Sequence, residues 1–502
     1  MTSQNIERVG AVRRRQVTQR GYVLGVAALF VGLAGCDTLL DVSLPDAVTD
    51  EALENPVGAT TQVLSVIGEV ECAYSAFTVE ASGYEDGFQA TAAAVGAGYA
   101  DYSSEAGEGN CDAMDSSYNF LDSFQIARAF GYQAYDRITA WTPEELGPQQ
   151  NKERLLALTA LYVGISLDVF GEHFCDIMLD GGPIMNPGEA LGLADEWVTT
   201  ALGHLDMVGD FAGENGSTES VRTMAYGVRA RIHWANGDLA GAAADAAMVP
   251  DGYVAYSTRE EAVIRRNKAY NTHTAVKYGL VNDAVDYWQG DPNPVTGQAW
   301  PAVIPFTGYI DLAILPDGRA VDASGYPITT AAAGAVADSR IPLASDQEAQ
   351  GGVIGFVPMK WTGLGDDIPM VNWKEMRLIR AEAEPDQAVA HVNAVRGANG
   401  LPLVTYGPTG EEVRNLIVEE RRRALWLEGR FWSTKILNTD KLWFPRLEGF
   451  DRFNHQMLGG VRLVYPLNEY RLNPNVTEDD RGSGCMGQWE NQRPELGLGT
   501  SV

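Results

Sequence analysis

The chain runs to 502 residues, 45% of them hydrophobic and 21% charged, which is ordinary globular composition with room for a large core and more than one domain. Its formal net charge of −30 excludes a nucleic-acid backbone as partner, because such contacts need clustered Lys and Arg. The acidity reads as solubility.

The first residues read as a leader. Arg13, Arg14, Arg15 and Arg20 form a basic segment, and Gly21 to Ala34 is an apolar run too short for a spanning helix. It ends in Leu33-Ala34-Gly35-Cys36, followed at once by polar sequence. This ending resembles a bacterial lipobox, which implies removal of residues 1–35 and a lipid on Cys36. No other segment reads as long and apolar enough to cross a bilayer, so the chain is expected to sit on a membrane by its lipid. Four cysteines remain, Cys72, Cys111, Cys175 and Cys485. An even number in an exported chain points to two disulfides with three pairings open; Cys72 and Cys111 lie closest along the chain. No CxxC or Cys/His spacing points to zinc, and no metal or cofactor is expected.

Residues 36–55 read as a polar tether. Helical periods then appear over Pro56–Val70, Ser117–Ala140, Asn151–Phe170, Asp195–Val208 and Ser220–Trp234. The third of these is apolar on most sides, which predicts a buried helix stopped by Gly171. Residues 225–249 carry small residues at Ala225, Ala230, Ala235, Ala240, Ala243 and Ala247 around the turn Asn236-Gly237-Asp238. Two helices can approach closely there, as in a tetratricopeptide pair. Residues 81–119 and 271–370 lose the helical period and become rich in Gly, Pro, Asp and aromatic residues. They read as early surface loops and as a long ordered insertion. Helices resume at Asn372, and the chain ends in a Gly-rich tail. The chain thus divides into a leader (1–35), a tether (36–55), a helical region (56–270), an insertion (271–370) and C-terminal helices and tail (371–502) of the same domain.

Glu411–Leu437 stands apart in this acidic chain, with basic and acidic residues nearly balanced. Thr409 and Glu412 have capping-box spacing, and Val413, Leu416, Ile417, Glu420, Ala424, Leu427 and Phe431 fall on one helical stripe. A glutamate on an apolar stripe needs a partner, and the neighbouring arginines supply one. The segment reads as a central packing helix with an internal ion-pair network of Glu420, Arg421, Arg422 and Glu428, joined by Arg380 and Glu382.

Several of these pieces, in this order, resemble the SusD/RagB family of outer-membrane nutrient-binding lipoproteins. They are the lipobox with Cys36-Asp37-Thr38, the long helix ending in Phe170-Gly171, and the block Glu375, Leu378, Ile379, Arg380, Ala381, Glu382 with Asn393, Val395 and Arg396. The charged helix with Glu420, Arg421, Arg422, Glu428, Gly429 and Trp432 follows, and then Tyr465-Pro466-Leu467-Asn468-Glu469 with Asn473-Pro474-Asn475. Ala424, Phe431, Thr434 and the tail with Cys485 depart from the family pattern. The resemblance implies an all-α, tetratricopeptide-like scaffold with irregular excursions that form a binding face. It implies capture of oligosaccharides, or of peptides in some members, without catalysis. It also implies a SusC-type TonB-dependent transporter as partner, at the surface of the outer membrane.

Sugar capture needs flat aromatic faces with amides, carboxylates and Arg for the hydroxyl groups. The early loops and the insertion offer Tyr84, Tyr99, Tyr102, Trp288, Trp300 and Tyr309, with Asp86, Asp101 and Asp291 nearby. The bland reading of each ring is loop anchoring. The charged helix is read as structural rather than as a substrate site, because Glu420 shares the apolar stripe. A secreted glycoside hydrolase is the rival class, but pairs such as Asp366-Asp367 arise by chance among so many acids. Neither GxSxG nor HExxH occurs.

Overall fold

The computed structural model describes residues 50–85, 89–90, 111, 120–213, 219–262, 265–275, 278–279, 320–321, 327–328, 339–346, 355–401, 403–405, 407–438, 449–450, 456–457 and 462–485. The chain divides after Leu53, and the smaller unit is described only over the helical turn Asp50–Leu53. From Glu54 onward the architecture is helical. Asn55 caps a short 3-10 turn by accepting from the Val57 amide, and helix α1 (Ala59–Tyr84) follows. It runs fourteen residues beyond the expected end at Val70, to Tyr84; every residue from Val70 to Tyr84 except Glu80 is buried, so this half shows no period.

Helix α2 (Leu121–Ala140) and α3 (Lys152–His173) pack against α1. Asn151 caps α3 by accepting from the Arg154 amide, and every residue from Leu155 to His173 is buried. By length and composition α3 could cross a membrane, contrary to the expectation that no segment beyond the leader could, but its burial makes it the core helix. Gly171 does not stop α3. It lies inside the helix, where a Cβ would come within 2.6 Å of the Leu191 side chain and 2.9 Å of the Leu191 amide nitrogen. The glycine therefore serves close approach to α4 (Pro187–Val208), which starts in a capping box of Asn186 and Glu189.

Helices α5 (Val221–Ala235) and α6 (Leu239–Ala246) form the tight pair expected from their small residues, turned by Gly237 at φ +83° and capped by Asp238. Strand β1 (Val254–Ser257) leads to helix α7 (Lys268–Ala275). The described part of the insertion holds the antiparallel hairpin β2 (Leu343–Asp346) and β3 (Gly355–Pro358), and β4 (Ile368–Asn372), which pairs antiparallel with β1. Asn372 caps α8 (Trp373–Ala383), and α9 (Ala388–Ala398) packs beside it.

The charged stretch is two helices rather than one, α10 (Glu411–Ala424) and α11 (Phe431–Leu437). Between them Leu427 at φ +57° and Gly429 at φ +71° turn the backbone. That conformation is costly for leucine and free for glycine. Helix α12 (Leu467–Leu472) follows, and two short 3-10 turns, Glu478–Asp480 and Ser483–Cys485, lead to the last described residue. An aromatic row of Phe77, Phe120, Phe124, Phe170 and Phe174 in edge contacts joins α1, α2 and α3 in one core.

Candidate functional site

The charged segment is a junction. Glu420 is fully buried and accepts from Arg340 Nη1 and Arg396 Nη1, each at 2.6 Å. Glu419 accepts from Arg422 at 3.2 Å and Arg423 at 2.7 Å. Glu428 accepts from Lys360 Nζ at 2.7 Å and Asn372 Nδ2 at 3.1 Å. Arg421 donates to Glu382 at 2.7 Å, with its guanidinium 4.0 Å above the Trp234 ring, and Trp234 Nε1 donates to the other oxygen of Glu382.

Two details correct the expected network. Glu420 is not paired with Arg421 or Arg422, because consecutive helical side chains point in different directions and only i±3 and i±4 neighbours meet. Its partners come from α9 and from the end of the insertion. Arg380 lies outside the network and pairs with Glu384, one helical turn on, at 3.1 Å.

A second buried cluster was missed in the sequence. Arg430 donates to both oxygens of Glu172, at 2.6 and 2.8 Å, and to Glu375 at 3.0 Å. Arg231 donates to Glu375 at 2.9 Å and lies 3.6 Å from Asp168. Burial would raise Glu375, but Arg231 and Arg430 outweigh it and hold the carboxyl down to about 2. Burial also works against Glu172, and Arg430 brings it below its usual range. Asp168 goes the other way, pushed up by burial and by Glu172. The signal was present: Asp168 and Glu172 are acids spaced i, i+4 in a helix that is apolar on most sides. The cluster ties α3, α5, α8 and the α10–α11 turn together, and all five of its side chains are buried.

Of the candidate ligand contacts, Tyr84 is corrected. It is fully buried, its ring stacks on Trp432 at 4.1 Å, and its carbonyl accepts from Lys435. It anchors α1 on α11 and offers no face to a ligand. Tyr99, Tyr102, Trp288, Trp300 and Tyr309 lie outside the described residues, as does Cys36. The cysteines pair as Cys72–Cys111 and Cys175–Cys485. The second bond fastens the C-terminal turn beside the end of α3, where Asp176 accepts from the amides of Gly482 and Gly484.

Two further features bear on chemistry. His173 Nε2 lies 2.9 Å from the Ser433 hydroxyl, but both residues are buried, and burial pushes the imidazole down to about 3. A neutral, sealed histidine cannot serve a substrate. A groove of about 470 Å³ lined by Leu239, Pro385, Val413, Ile417 and Leu437 also reaches Glu382 and Arg414. Glu382 is taken up by Arg421 and Trp234, and Arg414 donates to Asn438. Among the described residues no cluster of His, Cys, Asp or Glu could hold a metal ion.

No protein-family model matches the chain, and no curated protein matches it in sequence. Solved structures do match. A SusD superfamily protein from Bacteroides fragilis NCTC 9343 aligns with a TM-score of 0.53 over 83% of this chain and 97% of its own, at 12% identity. B. fragilis NanU aligns with a TM-score of 0.52 over 86% of this chain and 96% of its own, also at 12% identity. The chain has the SusD-like fold. Its helical scaffold is the tetratricopeptide-like one expected from the sequence. In this SusD-like scaffold, both buried charge clusters are cross-links between helices.

Proposed function

We propose that the protein is an outer-membrane lipoprotein, held by a lipid on Cys36, that captures oligosaccharides and passes them to a SusC-type TonB-dependent transporter without cleaving them. The observation that carries the reading is the SusD-like fold in a chain whose leader ends in the lipobox Leu33–Cys36. The buried Ser433–His173 pair, sealed from solvent, gives no support to the hydrolase alternative.

The aromatic rings of the early loops and the insertion supply the flat faces that sugars need. Trp288 and Trp300 are the largest of the candidate contacts, and replacing both by alanine is expected to weaken glycan binding about tenfold or more with an unchanged melting temperature. The test is incubation of the soluble chain, lacking residues 1–36, with panels of glycans and peptides, read for both retention and products. Retention of glycans without products supports the reading. Retention of peptides alone moves the ligand class, and new products would make the protein a hydrolase.

A further inference from the structure

Hairpin β2–β3 is fastened to the scaffold at both feet. The Met359 amide donates to the Pro342 carbonyl and closes its base. Arg340 precedes that base and Lys360 follows it. Arg340 reaches Glu420 at 2.6 Å, on α10; Lys360 reaches Glu428 at 2.7 Å, on the turn after α10, and also donates to the Trp426 carbonyl. Both pairs are shielded from water: the side chains are 2% and 0% exposed in the first, 17% and 5% in the second. Salt therefore screens them little.

Each acid has a second partner on the scaffold. Glu420 also holds Arg396 of α9, and Glu428 also holds Asn372 at the start of α8. Every carboxylate is thus shared between one scaffold group and one hairpin cation. Loss of the hairpin cation leaves neither acid alone, so the scaffold can survive a change that frees the hairpin.

We propose that Arg340 and Lys360 are positioning residues, a two-point ionic clamp that fixes hairpin β2–β3 on the α10 segment and so presets the part of the binding face that the insertion supplies. The first half stands on the geometry above; the second rests on the proposed function.

The test is hydrogen–deuterium exchange on the soluble chain carrying Arg340→Met and Lys360→Met together. Amides of the hairpin strands are expected to exchange about tenfold faster or more, with α3 and α10 protected as in the wild type. Arg340→Lys with Lys360→Arg keeps both charges and is expected to restore protection. Unchanged exchange in the hairpin overturns the clamp, and so does uniform acceleration across α3 and α10. With a glycan that the wild type binds, the Met variant is expected to lose affinity about tenfold, as a disordered contact surface would. Unchanged affinity with a loosened hairpin overturns the presetting role. A wild type that binds no glycan tells against the proposed function, while the exchange result still decides the clamp.

Discussion

Glu420 sits buried between two guanidinium groups, and removing it takes a buried carboxylate from both of them. Glu420→Ala is expected to cost about 3–5 kcal/mol, the range for breaking a buried pair from one side. Urea unfolding would show this as a lowered midpoint; a midpoint equal to the wild type would contradict it. Glu85 makes a different case. One oxygen accepts from the amides of Phe431 and Trp432, at 2.7 and 3.2 Å, and burial pushes its carboxyl up to about 8. An acid whose pKa is raised by folding takes up a proton as the chain folds. Its contribution to stability is whole below about 4.5 and is lost as the pH rises through about 8. Glu85→Gln keeps an acceptor and cannot ionise. Its melting temperature is expected to gain on the wild type between pH 5 and pH 9; parallel pH profiles would refute this. Glu375, held down to about 2, runs in the opposite sense: its contribution is present above about 4.5 and fades as the pH falls through 2.

Among the elements, α3 is buried at every residue from Leu155 to His173. Gly171→Ala would drive a methyl group into Leu191, side chain and backbone together. Overpacking of this kind costs about 1–3 kcal/mol, and calorimetry should find a lower melting temperature with ligand affinity intact. The helices with a polar face were legible in the sequence, because partial burial leaves a period of 3.6 to read. The second half of α1 was not, since residues buried all round leave none. The α5–α6 pair was legible from small residues and an Asn-Gly-Asp turn. Glu420 was visible as an anomaly, but its partner Arg340 lies far away in the insertion, and only the fold brings them together. Tyr84 was misread for the same reason, because its stacking partner Trp432 is remote in sequence. Gly171 looked like a helix stop because a glycine chosen for close packing and one chosen for a C-cap are the same letter.

At the scale of the molecule, the charged segment that dominates the sequence is the hub of the scaffold. Glu420, Glu428, Arg421 and Arg430 bind it to α3, α8, α9 and the foot of the insertion. Such a hub suits the proposed role of a carrier, whose binding groups would sit on excursions from it. The SusD-like fold and the lipobox-like ending at Cys36 support the central proposal, capture of oligosaccharide without cleavage. The most direct measurement is a titration of the soluble chain, lacking residues 1–36, with the oligosaccharide that a glycan panel retains best, followed by chromatography of the recovered sugar. The account predicts saturable binding with the sugar returned intact. No saturation with any glycan, or a shortened sugar, would contradict it.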